Sequence, residues 1–130
     1  MMDPNTTIRF LLSDDPVESM ETAKKIIGGN AALDNVSLSK IAGDKDIGKW
    51  PRIAAIYALG FAPGAGDYAP TFRRILSDEK EDPEIRSHAA EALGTIGDRE
   101  AVVILKDVLG HAPPEPLRES CEYALEELAA

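Results

Sequence analysis

The sequence predicts an all-α solenoid assembled from four helix pairs, and three observations carry that prediction. A helical motif recurs at a nearly constant offset: thirty-four residues separate Arg52 from Arg86, and thirty-two separate Arg86 from Arg118. A repeat period of roughly 20–50 residues decides an architecture, because each unit can bury its apolar face only against a neighbour. Apolar residues fall at i, i+3 and i+4, as in Phe72, Ile75 and Leu76, which makes one stripe on a helix. Proline, glycine and aspartate punctuate the stripes at regular places, and no alternating β-branched run suggests a strand.

The helices follow in order. Ile8 to Asp14 forms the first stripe, and Asp15-Pro16 opens a second helix running to Ile26. Leu38 to Asp44 begins the second pair, which Trp50-Pro51-Arg52 through Ala58-Leu59-Gly60 completes. Phe72 to Asp78 and then Pro83 to Gly94 make the third pair, matching Arg86 to Arg52 and Ala92-Leu93-Gly94 to Ala58-Leu59-Gly60. Leu105 to Leu109 and Leu117 to Leu125 supply the fourth. Pro16, Pro83 and Pro116 stand in first turns, where the missing N–H costs nothing. Gly60 and Gly94 are expected just past their helices as left-handed caps, and Asp98 is placed to cap the next first helix. The repeats are drawn at 4–29, 30–61, 62–95 and 96–130 within a single domain spanning 1–130. Ala54, Ala55, Ala58, Ala89, Ala92 and Ala124 read as close helix contacts, with Ile53, Leu59, Ile85, Leu93 and Leu125 filling the seams.

The segment Leu93-Gly94-Thr95-Ile96-Gly97-Asp98-Arg99-Glu100-Ala101-Val102, preceded by Ile85-Arg86 and Ala89-Ala90-Glu91-Ala92, resembles a HEAT repeat of the phycobilisome-lyase-like, armadillo-like type. The resemblance is strong over 46–128 and weak over 4–45, where the first repeat lacks the arginine; the turn Phe61 to Gly66 is also longer than its counterpart. It implies a right-handed superhelix and an inter-repeat ladder formed by Arg52, Arg86 and Arg118. Asp44 and Asp78 each precede an arginine by eight residues and supply acceptors in the turn.

The chemistry-bearing residues are few. His88 occupies a position filled by Ala54 and Ser120 in other repeats, and His111 lies in a Gly-His-Ala-Pro-Pro turn. HEAT-like iron enzymes of the deoxyhypusine hydroxylase type carry repeated His-Glu pairs, whereas Ala89 and Ala112 follow the two histidines here. No His-based metal site and no cofactor are therefore expected. Cys121 falls on the buried stripe and reads as a small core residue. The acidic run Asp78 to Glu84 lacks the spacing of a calcium loop, and Gly64-Ala65-Gly66 lacks the Lys and Ser/Thr of a phosphate loop.

With 14 Lys+Arg against 23 Asp+Glu, the formal net charge is −9, which disfavours nucleic acid and anionic membranes as partners. No apolar run is long enough to span a bilayer, and Met1-Met2-Asp3-Pro4-Asn5 lacks the basic and apolar regions of a signal peptide, so a cytoplasmic location is expected. Without a convergent catalytic set, the residues read as a non-enzymatic interaction scaffold or adaptor. Its partner is expected to be another protein carrying a basic segment, bound on the concave face by Lys49, Tyr57, Ser87, Glu91, Glu119 and Glu122 of the second helices. The alternative that the resemblance implies is a subunit or relative of a bilin lyase assisting chromophore attachment.

Overall fold

The structure of the protein, a computed structural model, describes residues 1–129. It is all-α: among the described residues eight α-helices follow one another as four pairs. They are α1 (Pro4–Leu11), α2 (Pro16–Ile27), α3 (Asn35–Gly43), α4 (Lys49–Gly60), α5 (Ala69–Ser77), α6 (Pro83–Ile96), α7 (Ala101–Gly110) and α8 (Glu115–Ala129). A short 3-10 turn, Ala65–Tyr68, precedes α5 and follows Gly64, whose φ of 79° suits the left-handed region. The chain groups into two compact units, Met1–Pro63 and Gly64–Ala130, each containing two pairs. Among the described residues no helix is long and apolar enough to cross a membrane.

Aspartates start four of the helices because a carboxylate can satisfy N–H groups that have no intrahelical partner. Asp3 accepts from Thr6 N at 2.8 Å, Asp15 from Val17 N at 3.0 Å, Asp34 from Ser37 N at 2.7 Å and Asp82 from Glu84 N at 2.8 Å. In the first unit α4 is the central element, packed against α2 and α3, and Ile53, Ala54, Ala55, Ile56, Ala58 and Leu59 along it are fully buried. A single parallel bridge between Met2 and Ala31 ties the N-terminal segment to the loop after α2.

In the second unit α6 and α8 lie side by side, with α5 on α6 and α7 on α8. Phe72, Leu76, Leu93, Leu105 and Leu117 fill the core, with Ala89, Ala90 and Ala124 between them. Three predicted caps are corrected here. Gly94 lies inside α6, and the left-handed cap is Gly97, with φ 74°. A β-carbon on Gly94 would stand 3.0 Å from Ala124 Cα, so this glycine serves the close approach of α6 to α8. Gly60 is likewise the last residue of α4, followed by Phe61 as the cap. Asp98 does not cap α7; its carboxylate lies 2.9 Å from Arg73 Nε, and Arg73 also reaches Glu100 at 2.9 Å.

The arginines expected to form a ladder divide. Arg52 Nε donates to Ala42 O at 3.0 Å, and Arg86 Nε donates to Leu76 O at 2.9 Å, each to the end of the first helix of its own pair. Arg118 departs from this pattern: it is exposed and paired with Glu115 and Glu122 on its own helix. The pair lacking an arginine has an equivalent the sequence reading missed. Ser19, counted from Asp15-Pro16 as Arg86 is from Asp82-Pro83, is fully buried and within donor reach of Leu11 O at 2.9 Å and Ser13 O at 2.8 Å. Asp44 and Asp78 accept from Asp46 N and Lys80 N, at 2.9 and 3.0 Å, and thereby shape the turns before α4 and α6.

Candidate functional site

The six residues expected to meet a partner fall into different environments. Lys49 and Tyr57 belong to the first unit. Lys49 is half-buried with its Nζ 5.8 Å from the Trp50 ring centre, and Tyr57 packs edge-on against Phe61 at 5.2 Å. Ser87, Glu91, Glu119 and Glu122 belong to the second unit, on α6 and α8. Ser87 is corrected: it is 5% exposed and turned into the seam between those helices, where it cannot serve as an open contact.

The seam holds a short polar chain. Ser87 Oγ lies in hydrogen-bond contact with Ser120 Oγ and reaches Pro116 O at 3.1 Å; Ser120 Oγ donates to Glu91 Oε1 at 3.1 Å. Each hydroxyl has one proton: Ser120 donates to Glu91, so Ser87 is the donor to Ser120, and its single proton is shared between Ser120 Oγ and Pro116 O. Two serines thirty-three residues apart therefore fix one oxygen of an otherwise exposed glutamate. Its other oxygen stands 3.8 Å from His88 Nδ1. Burial lowers the His88 pKa, against the raising influence of Glu91 and Glu84, so the ring favours its neutral form.

Glu91, Glu119, Ser120 and Tyr123 line an open cleft of about 390 Å³. Glu119 is held above the ordinary carboxylate range by hydrogen bonding with Glu115, while Arg118 holds Glu115 below it. The charge of Glu122 is offset by Arg118 Nη1 at 2.6 Å. The cleft thus presents Glu91 as its anchored carboxylate and Tyr123, 59% exposed, as its aromatic wall. This arrangement suits a cation with an alkyl stem: the carboxylate takes the charge and the ring face takes the stem or the ammonium.

The residues do not fit an iron centre built from His-Glu pairs. His88 has a single carboxylate within ion-pair distance, Glu91 at 3.8 Å, with Glu84 acting on it only electrostatically, and the Nδ1 of His111 engages Asp107 O at 2.8 Å. Among the described residues no group of three His, Cys, Asp or Glu side chains is placed to hold a metal ion. Cys121 is buried, and burial pushes its thiol up to about 11, which leaves it a poor nucleophile.

Comparison with known proteins corrects the functional expectation. Deoxyhypusine hydroxylase of Saccharomyces cerevisiae is 38% identical over 69 residues, covering 53% of this chain and 21% of that protein. The Arabidopsis thaliana enzyme of the same name is 40% identical over 74 residues, 57% of this chain and 23% of that one. The structure of human deoxyhypusine hydroxylase in complex with glycerol superposes with a TM-score of 0.66 at 24% identity, covering 98% of this chain and 46% of that chain, and shows the shared fold. The matches therefore span about a fifth of the curated relatives and under half of the solved chain. These relatives are hydroxylases, which overturns both the reading of the chain as a non-enzymatic scaffold and the likeness to bilin lyases. The family model for HEAT repeats matches residues 37–126, well over half of the sequence, and the chain belongs to the HEAT-repeat family.

Proposed function

We propose that this chain serves deoxyhypusine hydroxylation as a HEAT module that holds the cationic side chain of the protein substrate at the α6/α8 cleft. The observation that carries the reading is the shared name of the curated relatives, deoxyhypusine hydroxylase, at 38–40% identity. Deoxyhypusine is a lysine extended by an aminobutyl group, so its side chain is an alkyl stem bearing two amines that are cationic at neutral pH. Glu91, oriented by Ser120, pairs with one ammonium; Tyr123 covers the alkyl segment; the net charge of −9 draws a basic protein segment in from a distance.

The role derived for this chain's own residues is binding and orientation. Since the donor set does not fit an iron centre, no proton or electron step is assigned to these residues. The test is a calorimetric titration with two peptides of one sequence, one carrying deoxyhypusine and the other lysine. The reading expects the deoxyhypusine peptide to bind about tenfold more tightly, a difference of about 1.4 kcal/mol, and Glu91→Gln to remove most of that preference. Equal affinity for the two peptides overturns it.

A further inference from the structure

The first unit contains a cleft of about 540 Å³ unrelated to the residues of the α6/α8 site. Its walls are apolar, including Ile8, Ile26, Ile27, Leu33 and Phe61, and two of these are conspicuously open, Ile27 at 41% and Phe61 at 52% exposure. Asp34, Asn35 and Ser37, at the start of α3, provide its polar end. Such a volume is in the range that takes a small organic group, and such a lining fixes both its shape and its polarity.

The hydrogen-bond inventory determines that polarity. Asn35 Nδ2 already donates to Pro63 O at 2.8 Å. Asp34 accepts the Ser37 N–H at 2.7 Å and hydrogen-bonds the Ser37 hydroxyl, which together hold its carboxyl below the ordinary range and keep it ionised. A carboxylate has about four acceptor sites, so acceptor capacity remains after both bonds. Among the described residues lining the cleft there is no Lys or Arg, so no basic side chain faces an anion within it; Lys40, on α3, acts electrostatically on Asp34 from outside the lining. The helix end contributes roughly half a positive charge, less than the full negative charge of Asp34.

We propose that this cleft binds an alkylammonium group, with the alkyl chain between Ile27, Leu33 and Phe61 and the ammonium at Asp34. The branched walls and the Phe61 ring desolvate the chain, and the carboxylate takes the charge. The assignment is independent of the substrate reading, because the two sites share no residue.

Nuclear magnetic resonance titration with three probes of equal chain length, hexylammonium, hexanol and hexanoate, tests it. Hexylammonium is expected to give saturable shifts at Ser37, Ile27 and Phe61, with hexanol about tenfold weaker and hexanoate weaker still. Asp34→Asn keeps a competent helix cap while removing the charge, so it is expected to reduce hexylammonium affinity several-fold and leave the fold intact. Ile27→Ser, at an exposed wall position, is expected to weaken hexylammonium and hexanol together. Equal binding of all three probes, absence of saturable shifts, or unchanged affinity in Asp34→Asn overturns the proposal.

Discussion

Arg52, Arg86 and Ser19 meet one need by two chemistries. The last carbonyls of a helix have no intrahelical donor, and a following helix packed over that end leaves little room for water to supply one. A guanidinium spans the gap in the second and third pairs, whereas in the first a buried hydroxyl does so. Arg86→Ala is therefore expected to cost about 1–3 kcal/mol and Ser19→Ala a comparable amount, because each leaves a covered carbonyl unsatisfied. Arg118→Ala, which removes only exposed ion pairs, is expected to cost under about 1 kcal/mol. Denaturant midpoints of the three variants check this ordering. In the fourth pair the donor to the end of α7 is His111, which bonds Asp107 O, and that bond together with Asp107 and Glu79 raises its pKa above 6.5. A raised folded-state value means that the stabilisation is full below about pH 6.5 and is lost as pH rises through the folded value. His111→Ala should therefore lower the melting temperature at pH 5.5 and have little effect at pH 8.5; the opposite pH dependence would show that His111 is not held in its charged form.

The close contact of α6 with α8 depends on Gly94. Alanine is favoured over glycine in a helix by about 1 kcal/mol, but a β-carbon here meets Ala124 Cα at 3.0 Å, and backbone cannot move aside as a flexible side chain can. Overpacking of this kind costs about 1–3 kcal/mol, so the net effect of Gly94→Ala should be destabilising. Gly43, at the end of α3, has nothing within 4 Å of a built β-carbon, and Gly43→Ala should be neutral or stabilising. Thermal melts of the pair separate packing from propensity. The helices were legible in the sequence because period, proline and aspartate all act locally: Asp15-Pro16 and Asp82-Pro83 start α2 and α6 where they were expected. Gly94 and Ser87 were not legible in the same way. Ala-Leu-Gly fits both a helix end and a tight crossing, and a serine fits both a solvent face and a seam; the neighbouring helix decides each. Ser19 could have been found by counting from its Asp-Pro pair, as could the thirty-three-residue spacing of Ser87 and Ser120.

At the scale of the whole molecule, the repeat specifies how helices stack and leaves open what the stack does, since one helical architecture hosts enzymes and binding proteins alike. That is why the sequence led to the fold and away from the hydroxylase kinship: the residues that distinguish the functions are single side chains at the repeat surface. Charge is the molecular property that acts furthest. Glu91→Lys is expected to weaken association with a deoxyhypusine peptide and reduce its salt dependence, with a smaller effect for Glu122→Lys because Arg118 already offsets that charge. Glu79→Lys, outside the cleft, should change little; rates measured at two salt concentrations separate these effects. Substrate binding at the α6/α8 cleft is tested most directly by mapping where that peptide binds, following the amide and side-chain resonances of the full chain during its titration. Substrate held at the α6/α8 cleft gives saturable shifts concentrated around Glu91, Ser120 and Tyr123, abolished in Glu91→Gln, whereas shifts that lie wholly elsewhere and survive that substitution exclude this cleft as the binding site.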